Sequence, residues 1–275
     1  MLNEEFDPVI LKTSGGDTAK LYPYGAHLTS WCTADGIERL FLSQRTKLQS
    51  GTAIRGGVPL IFPQFAGLGP LTKHGFARTN SWKRVKEPGE SSSATLFRLQ
   101  DSDITDSEWS NHFVAEYAVT LGTDELNMRL SIHNTGRQTF SFTAALHTYL
   151  RVHDISRVSI TGLQGLRYSD SAAGGTEAIE SAPVLHIADE LDRIYFSTVN
   201  PLRVIEPGQR TVECKAVGFA DTVIWNPGAE KSAALADMEP DGFRHMICVE
   251  SAAIGVPVEL SPGANWSGTQ QLKMV

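Results

Sequence analysis

From Tyr117 onward the chain alternates between large apolar residues and smaller or polar ones. Tyr117, Val119 and Leu121 lead to a Gly122-Thr123-Asp124 turn. Leu126, Met128, Leu130 and Ile132 then alternate with Asn127, Arg129, Ser131 and His133 as far as Asn134-Thr135-Gly136. Phe140, Phe142 and Ala144 open a third run. Successive side chains of a strand point to opposite faces, so period two marks a strand with one face in a core. Runs of this length bounded by turn residues predict an antiparallel meander. Val158 to Ile160, Thr211 to Val217 and Val256 to Leu260 add shorter candidates, and helical periodicity is scarce. The pattern predicts an all-β fold, a large antiparallel β-sandwich.

At 275 residues the chain is long enough for one or two domains, and all-β folds of this size are commonly single. No Ser/Gly/Pro-rich linker divides it; the nearest candidate, Glu87 to Ala94, reads as a surface turn. Residues 1–275 are therefore expected to form one domain. The formal net charge of −7 argues against nucleic acid or an anionic membrane as partner, since a basic surface supplies most of that affinity. A small anionic substrate is not excluded, because a few local cations decide its binding. Cys32, Cys214 and Cys248 are too few for a disulfide framework, which makes reduced thiols in a cytoplasmic protein the simpler expectation. MLNEEFDPVI is acidic and carries no apolar run of signal-peptide length, and no segment approaches a membrane span.

Arg55 to Arg78, RGGVPLIFPQFAGLGPLTKHGFAR, holds five Gly and three Pro. Proline fixes φ and glycine admits backbone shapes that other residues avoid, so this density predicts a rigid, irregular loop. Such a loop can carry His74 and the cations Arg55, Lys73 and Arg78 to one fixed place. In MICVES, alternation puts Met246, Cys248 and Glu250 on one strand face, leaving a carboxylate at the end of an apolar run. Burial there raises its pKa unless a partner compensates. Spacing alone equally permits a strand-end carboxylate that faces water or pairs with an arginine. His147, after the apolar run Phe140 to Leu146, is expected on a half-buried strand, a setting in which most histidines are hydrogen-bonded core residues.

RGGVP, FPQF and HGFAR, in this order, resemble the signature of the hexose-6-phosphate mutarotases, a branch of the aldose 1-epimerase-like superfamily. LHTYLRVHDIS, GLQGLRYSD, LDRIYFS, VIWNPGAEKSAALAD, MICVES and LSPGANWSGTQQL continue the resemblance to Leu272. It implies the many-stranded sandwich of galactose mutarotases and interconversion of α and β hexose anomers through the open aldehyde. That chemistry takes a proton from the C1 hydroxyl and gives one to the ring oxygen, which a carboxylate and a histidine can do near neutral pH. No metal and no cofactor is implied. By the resemblance Glu250 is the base, His147 the acid, and His74 a second histidine that positions substrate or shares developing charge. Asp192 would bind sugar hydroxyls, while Arg55 and Arg78, with Lys73 a weaker third, would hold a 6-phosphate through charge-assisted hydrogen bonds. One of the arginines could instead brace the loop through backbone carbonyls. Gln64 is balanced between sugar contact and a structural role, and Asp192 could pair with surface neighbours. Trp225 is a candidate wall for the sugar ring; Trp266 is expected only to pack.

Three departures from the family pattern stand out: Ile61 for a common cysteine, Gly228 where tryptophan often follows WNP, and Ala264 where glutamate often follows PG. The Gly228 change is expected to enlarge or loosen the pocket rim. Among other readings, a metal hydrolase is disfavoured. His147 and His153 on one unbroken strand would stand about 20 Å apart, and no HExxH or CxxC motif is present. A carbohydrate-binding sandwich without catalysis is the main non-enzyme alternative, set against the joint presence of His74, His147 and Glu250. A polysaccharide lyase on a related sandwich comes third. The expected partner is thus a small sugar phosphate, with oligomeric state left open.

Overall fold

A computed structural model describes residues 4–85, 91–104 and 109–275. Two large sheets, of nine and eight strands, and a three-stranded N-terminal sheet account for most of the regular secondary structure among the described residues. Every pairing between these strands is antiparallel. Through its middle the nine-stranded sheet runs Val212–Val217, Asn265–Met274, Glu125–Asn134, Phe113–Gly122 and Ala94–Gln100. The eight-stranded sheet runs Arg167–Asp170, Leu191–Tyr195, Asp221–Asn226, Met246–Leu260 and Phe140–Leu146. Their facing sides share one apolar core. The fold is the expected all-β sandwich.

The alternation from Tyr117 onward sets both register and core. Leu121 pairs with Leu126, Val119 with Met128 and Tyr117 with Leu130, and all six are buried. A slip of one residue would turn the whole set to solvent, so burial pins this register. The third run departs from the meander. Phe140–Leu146 lies in the opposite sheet, beside Met246–Leu260, and Asn265–Met274 takes the place next to Glu125–Asn134. Asn134 holds this corner. Its side-chain amide donates to Gln138 O and Leu260 O, both at 2.8 Å, and its Oδ1 accepts from Gly136 N at 2.9 Å.

MICVES and Val256 to Leu260 belong to one strand, Met246–Leu260. Its register shifts between Ala253 and Val258. There the buried Asp221 carboxylate accepts from Ile254 N at 2.9 Å and Gly255 N at 2.7 Å, which satisfies amides that the ladder leaves unpaired. All nine residues from Met246 to Ile254 are buried, so alternation is absent here. The reason is that the outer face of this sheet is also covered. Ile61 and Phe65, from the Gly/Pro loop, pack on Ala145, Val223, Ala252 and Ile254. Of the turn expected at Glu87 to Ala94, residues 87–90 lie outside the described residues, while Ala94 N donates to Ser91 O at its far end.

Candidate active site

The cavity lies on that covered outer face, between the Gly/Pro loop and the segment after Asn226. It measures about 330 Å³, within the usual range for small-molecule sites. His147, Glu250, His74, Arg55, Arg78, Lys73 and Asp192, seven of the eight residues named from sequence, line it. They come from separate stretches of chain, which the loop and three strands of the eight-stranded sheet, Phe140–Leu146, Met246–Leu260 and Leu191–Tyr195, bring together.

His147 directly follows Phe140–Leu146, and its backbone N donates to Pro59 O at 3.0 Å. Thr148 turns the other way, into the core. There its hydroxyl donates to Gln270 Oε1 of the opposite sheet at 2.5 Å, and Gln270 Nε2 donates to Val249 O. With Thr148 pinned inward, His147 and Tyr149 both face the cavity. Their rings stack with centroids 4.8 Å apart and planes 9° apart, and Trp225 stands edge-on to each at 5.9 Å. This makes Trp225 part of the cavity wall. Trp266 packs on Phe142 and Phe219, as expected.

Glu250 reaches the same point from Met246–Leu260, with Oε1 3.3 Å from His147 Nε2. The carboxylate is 1 % exposed. Burial drives its pKa well above the ordinary range, reinforced by Asp192 and opposed by Arg78. Burial also holds His147 well below its usual value, with His74, Arg78 and Arg55 adding to the effect. Both shifts penalise charge in a dry setting. Glu250 Oε2 and His147 Nδ1 have no partner among the described residues. Two titratable groups in contact, each biased toward its neutral form, together hold one proton.

His74 has a left-handed backbone, φ 71°, and its N donates to Ala66 O at 2.9 Å. Its Nδ1 accepts from Ala66 N at 3.2 Å. Burial, with Arg78, Lys73 and Arg55 nearby, brings its pKa down to about 3. The neutral ring therefore carries its proton on Nε2, 5.8 Å between centroids from His147. His74 is both a loop anchor and a cavity donor.

The cations differ in how they are held. Arg55 donates to Asp237 Oδ2 through Nε at 3.2 Å and lies 3.1 Å from it through Nη2, while Nη1 donates to Tyr149 Oη at 3.1 Å. Arg78 donates through Nη2 to Lys73 O, bracing the loop, but its buried Nε has no partner among the described residues. Burial pulls its pKa down from the ordinary arginine range. Asp192, paired across the ladder with Trp225, enters no side-chain hydrogen bond or ion pair among the described residues. Burial raises its pKa, with Lys231 opposing. The surface pairing considered for it belongs to Arg193, which binds Asp170 and Glu180.

Two expectations need correction. Gln64 does not line this cavity: its amide donates to Ala66 O and Leu71 O and accepts from Leu71 N. All of its polar capacity goes into the loop, so the structural role takes the residue. Gly228 does not loosen the rim. With φ at 63°, a Cβ there would meet Glu190 N at 2.8 Å, so the backbone of Glu190 fills the space. That close approach lets Lys231 reach Glu190 Oε1 at 2.7 Å on the cavity edge. Tyr149, Lys231 and Asp237 were not singled out from sequence. Tyr149 was within reach of period two from His147; Lys231 and Asp237 had no local signal, because their partners lie far away in sequence.

A family model described as aldose 1-epimerase matches residues 8–273. A protein of Cenchrus ciliaris named "Putative glucose-6-phosphate 1-epimerase" is 32% identical over 281 residues, covering 98% of this chain and 85% of its own length. The crystal structure of a "putative mutarotase" from Salmonella typhimurium superposes with a TM-score of 0.89 at 28% identity, covering 98% of this chain and 91% of that one. A galactose mutarotase related enzyme from Lactobacillus acidophilus shares the fold at 14% identity, with a TM-score of 0.78 over 98% of this chain and 97% of that one.

Proposed function

This chain belongs to the aldose 1-epimerase family, and we propose that it interconverts the α and β anomers of a hexose 6-phosphate, glucose 6-phosphate first. The observation that carries this reading is the buried His147–Glu250 contact at 3.3 Å, in a cavity that also holds Arg55, Lys73 and Arg78. Glu250 takes the proton of the C1 hydroxyl as the bond from C1 to the ring oxygen breaks. His147 gives its proton to that oxygen. The open aldehyde rotates about C1–C2, and the roles reverse on closure.

The pair enters ring opening as carboxylate and imidazolium and leaves it as carboxylic acid and imidazole. One proton is present in both states, and burial favours the second. Sugar hydroxyls stabilise the first by hydrogen bonding, and the neutral His74 supplies an N–H donor for the same purpose. Asp192 accepts from sugar hydroxyls. Arg78, whose buried Nε has no hydrogen-bond partner among the described residues, and Arg55, held by Asp237 and Tyr149, bind the phosphate. The glucose 6-phosphate in the name of the Cenchrus ciliaris homologue supports this assignment.

A pH profile follows. Because His147 lies below 6.5, the pair takes up a second proton only under more acidic conditions; because Glu250 lies above 4.5, it gives up the first only above the ordinary carboxylate range. The one-proton form therefore extends from below pH 6.5 to beyond the ordinary carboxylate range. The expected kcat stays within about twofold between pH 7 and 6, where a free histidine would be titrating. It should be read as kcat, since the substrate phosphate itself titrates near about pH 6. A rate-limiting transition centred at 6.5 would contradict the arrangement.

The function is tested by anomer exchange in NMR magnetisation transfer, with glucose 6-phosphate and glucose side by side. Faster exchange than in buffer, and much faster for the ester, is expected. Equal acceleration of both sugars keeps the epimerase and removes the phosphate assignment. Failure across a panel of sugars returns the site to binding without catalysis.

A further inference from the structure

His147 and His153, six residues apart on an extended chain, stand too far from each other to share a metal. The fold makes a different group. His147, Cys248 and Glu250 each present a ligand atom, and the three lie within 4.8 Å of one another, all buried. We propose that these residues form an inhibitory site for a thiophilic divalent cation, Zn²⁺ or Cd²⁺, bound at the place where the proton is exchanged. Its inhibitory character rests on the acid/base roles given above; its existence as a cation site does not.

The placement comes from the strands. Cys248 stands two residues before Glu250 on Met246–Leu260, on the same face, with Tyr149 and Trp225 as its cross-strand partners. Its Sγ forms no hydrogen bond among the described residues, and Glu250 Oε2 and His147 Nδ1 are also unpartnered there. Imidazole nitrogen, thiolate sulfur and carboxylate oxygen are the donors that zinc takes, at about 2.0–2.3 Å. Such bonds need the group drawn together by up to about 1 Å, within reach of small side-chain rotations. His147 and Glu250 line the cavity, so the ion's route in runs through it.

Charge and softness decide which ion fits. A dication balances one thiolate and one carboxylate, with the imidazole neutral, so the buried cluster gains no net charge. On binding, the thiol proton and the proton shared by His147 and Glu250 leave to solvent. Nitrogen and sulfur donors select Zn²⁺ and Cd²⁺ over Mg²⁺ and Ca²⁺, which prefer oxygen. Arg55 and Arg78 repel a dication, which keeps the site weaker than a structural zinc and reversible by chelation. A bound ion occupies the lone pairs through which the proton moves, and turnover stops.

The test is a titration of the full chain with Cd²⁺, read by the ultraviolet absorption of a cadmium–thiolate bond, with anomer exchange followed in parallel. One equivalent is expected to give the absorption in the wild type and in Cys32→Ser, and none in Cys248→Ser or Cys248→Ala. Exchange should fall at the same equivalence and return with EDTA, and Zn²⁺ should displace Cd²⁺. Cys248→Ser should need at least about tenfold more cation for the same inhibition. Absorption that persists without Cys248, or none in the wild type, overturns the site. Absorption that follows Cys248 in a protein with no exchange activity supports the cation site and defeats only the functional reading.

Discussion

Replacing Glu250 by glutamine is expected to lower kcat at least about 100-fold, the scale of a lost acid or base, while thermal unfolding stays close to wild type. Glutamine keeps the shape of the side chain and can still hydrogen-bond His147 Nε2, now 3.3 Å from Oε1. No other side chain depends on the carboxylate, because Oε2 has no partner among the described residues. What disappears is the ability to accept a proton. His147→Ala should lose as much, although it also strips a ring from the Tyr149 stack and so costs more in stability. Because the two share one proton, the double variant should be little worse than the worse single one, as for groups acting as a unit. Magnetisation-transfer rates on all three variants decide the matter. Near-wild-type turnover in either single variant removes that residue from the mechanism.

The second large effect concerns Arg78. Arg78→Met keeps much of the apolar stem but deletes the charge and the buried, unpartnered Nε donor. A hydrogen bond to a charged group is worth about 1.5–3 kcal/mol, so KM for glucose 6-phosphate should rise roughly 10- to 150-fold. Exchange of free glucose should change far less. Arg78 is a cleaner probe than Arg55, whose removal would also release Asp237 and Tyr149 from their bonds. If both sugars suffer equally, the bond from Arg78 Nη2 to Lys73 O is the part that matters, and the arginine acts by bracing the loop.

How much of this could be read from sequence varies with how local the cause is. The register of Phe113–Gly122 against Glu125–Asn134 follows from alternation and a short turn, both visible in order along the chain. Strand geometry alone, which sends every second side chain to the same face, puts Glu250 with Cys248 and Met246. The crossing of Phe140–Leu146 to the other sheet was hidden, because it depends on one side chain, Asn134, binding Leu260 O at a distance of 126 residues. The covering of Met246 to Ile254 on both faces erased the periodic signal there. The sequence left Gln64 undecided and misled on Gly228 for one reason. What they contact, Leu71 on a folded-back loop and the Glu190 backbone, is set by tertiary approach and not by neighbours in sequence. The resemblance named the acid, the base and the cations; it said nothing of Thr148 turning inward to Gln270 and so aiming His147.

In the proposed mechanism, the contact between His147 and Glu250 also separates the catalyst from its medium. Sugars in plain solution anomerise with whatever acids and bases the surrounding buffer lends them. Here the donor and the acceptor are the same closed pair, and what one gives up at ring opening the other has gained by the end. Over a full cycle nothing is borrowed from the solvent and nothing must be repaid to it. On that reading the site is a self-contained exchange, regenerated by each closing ring and indifferent to the buffering power around it.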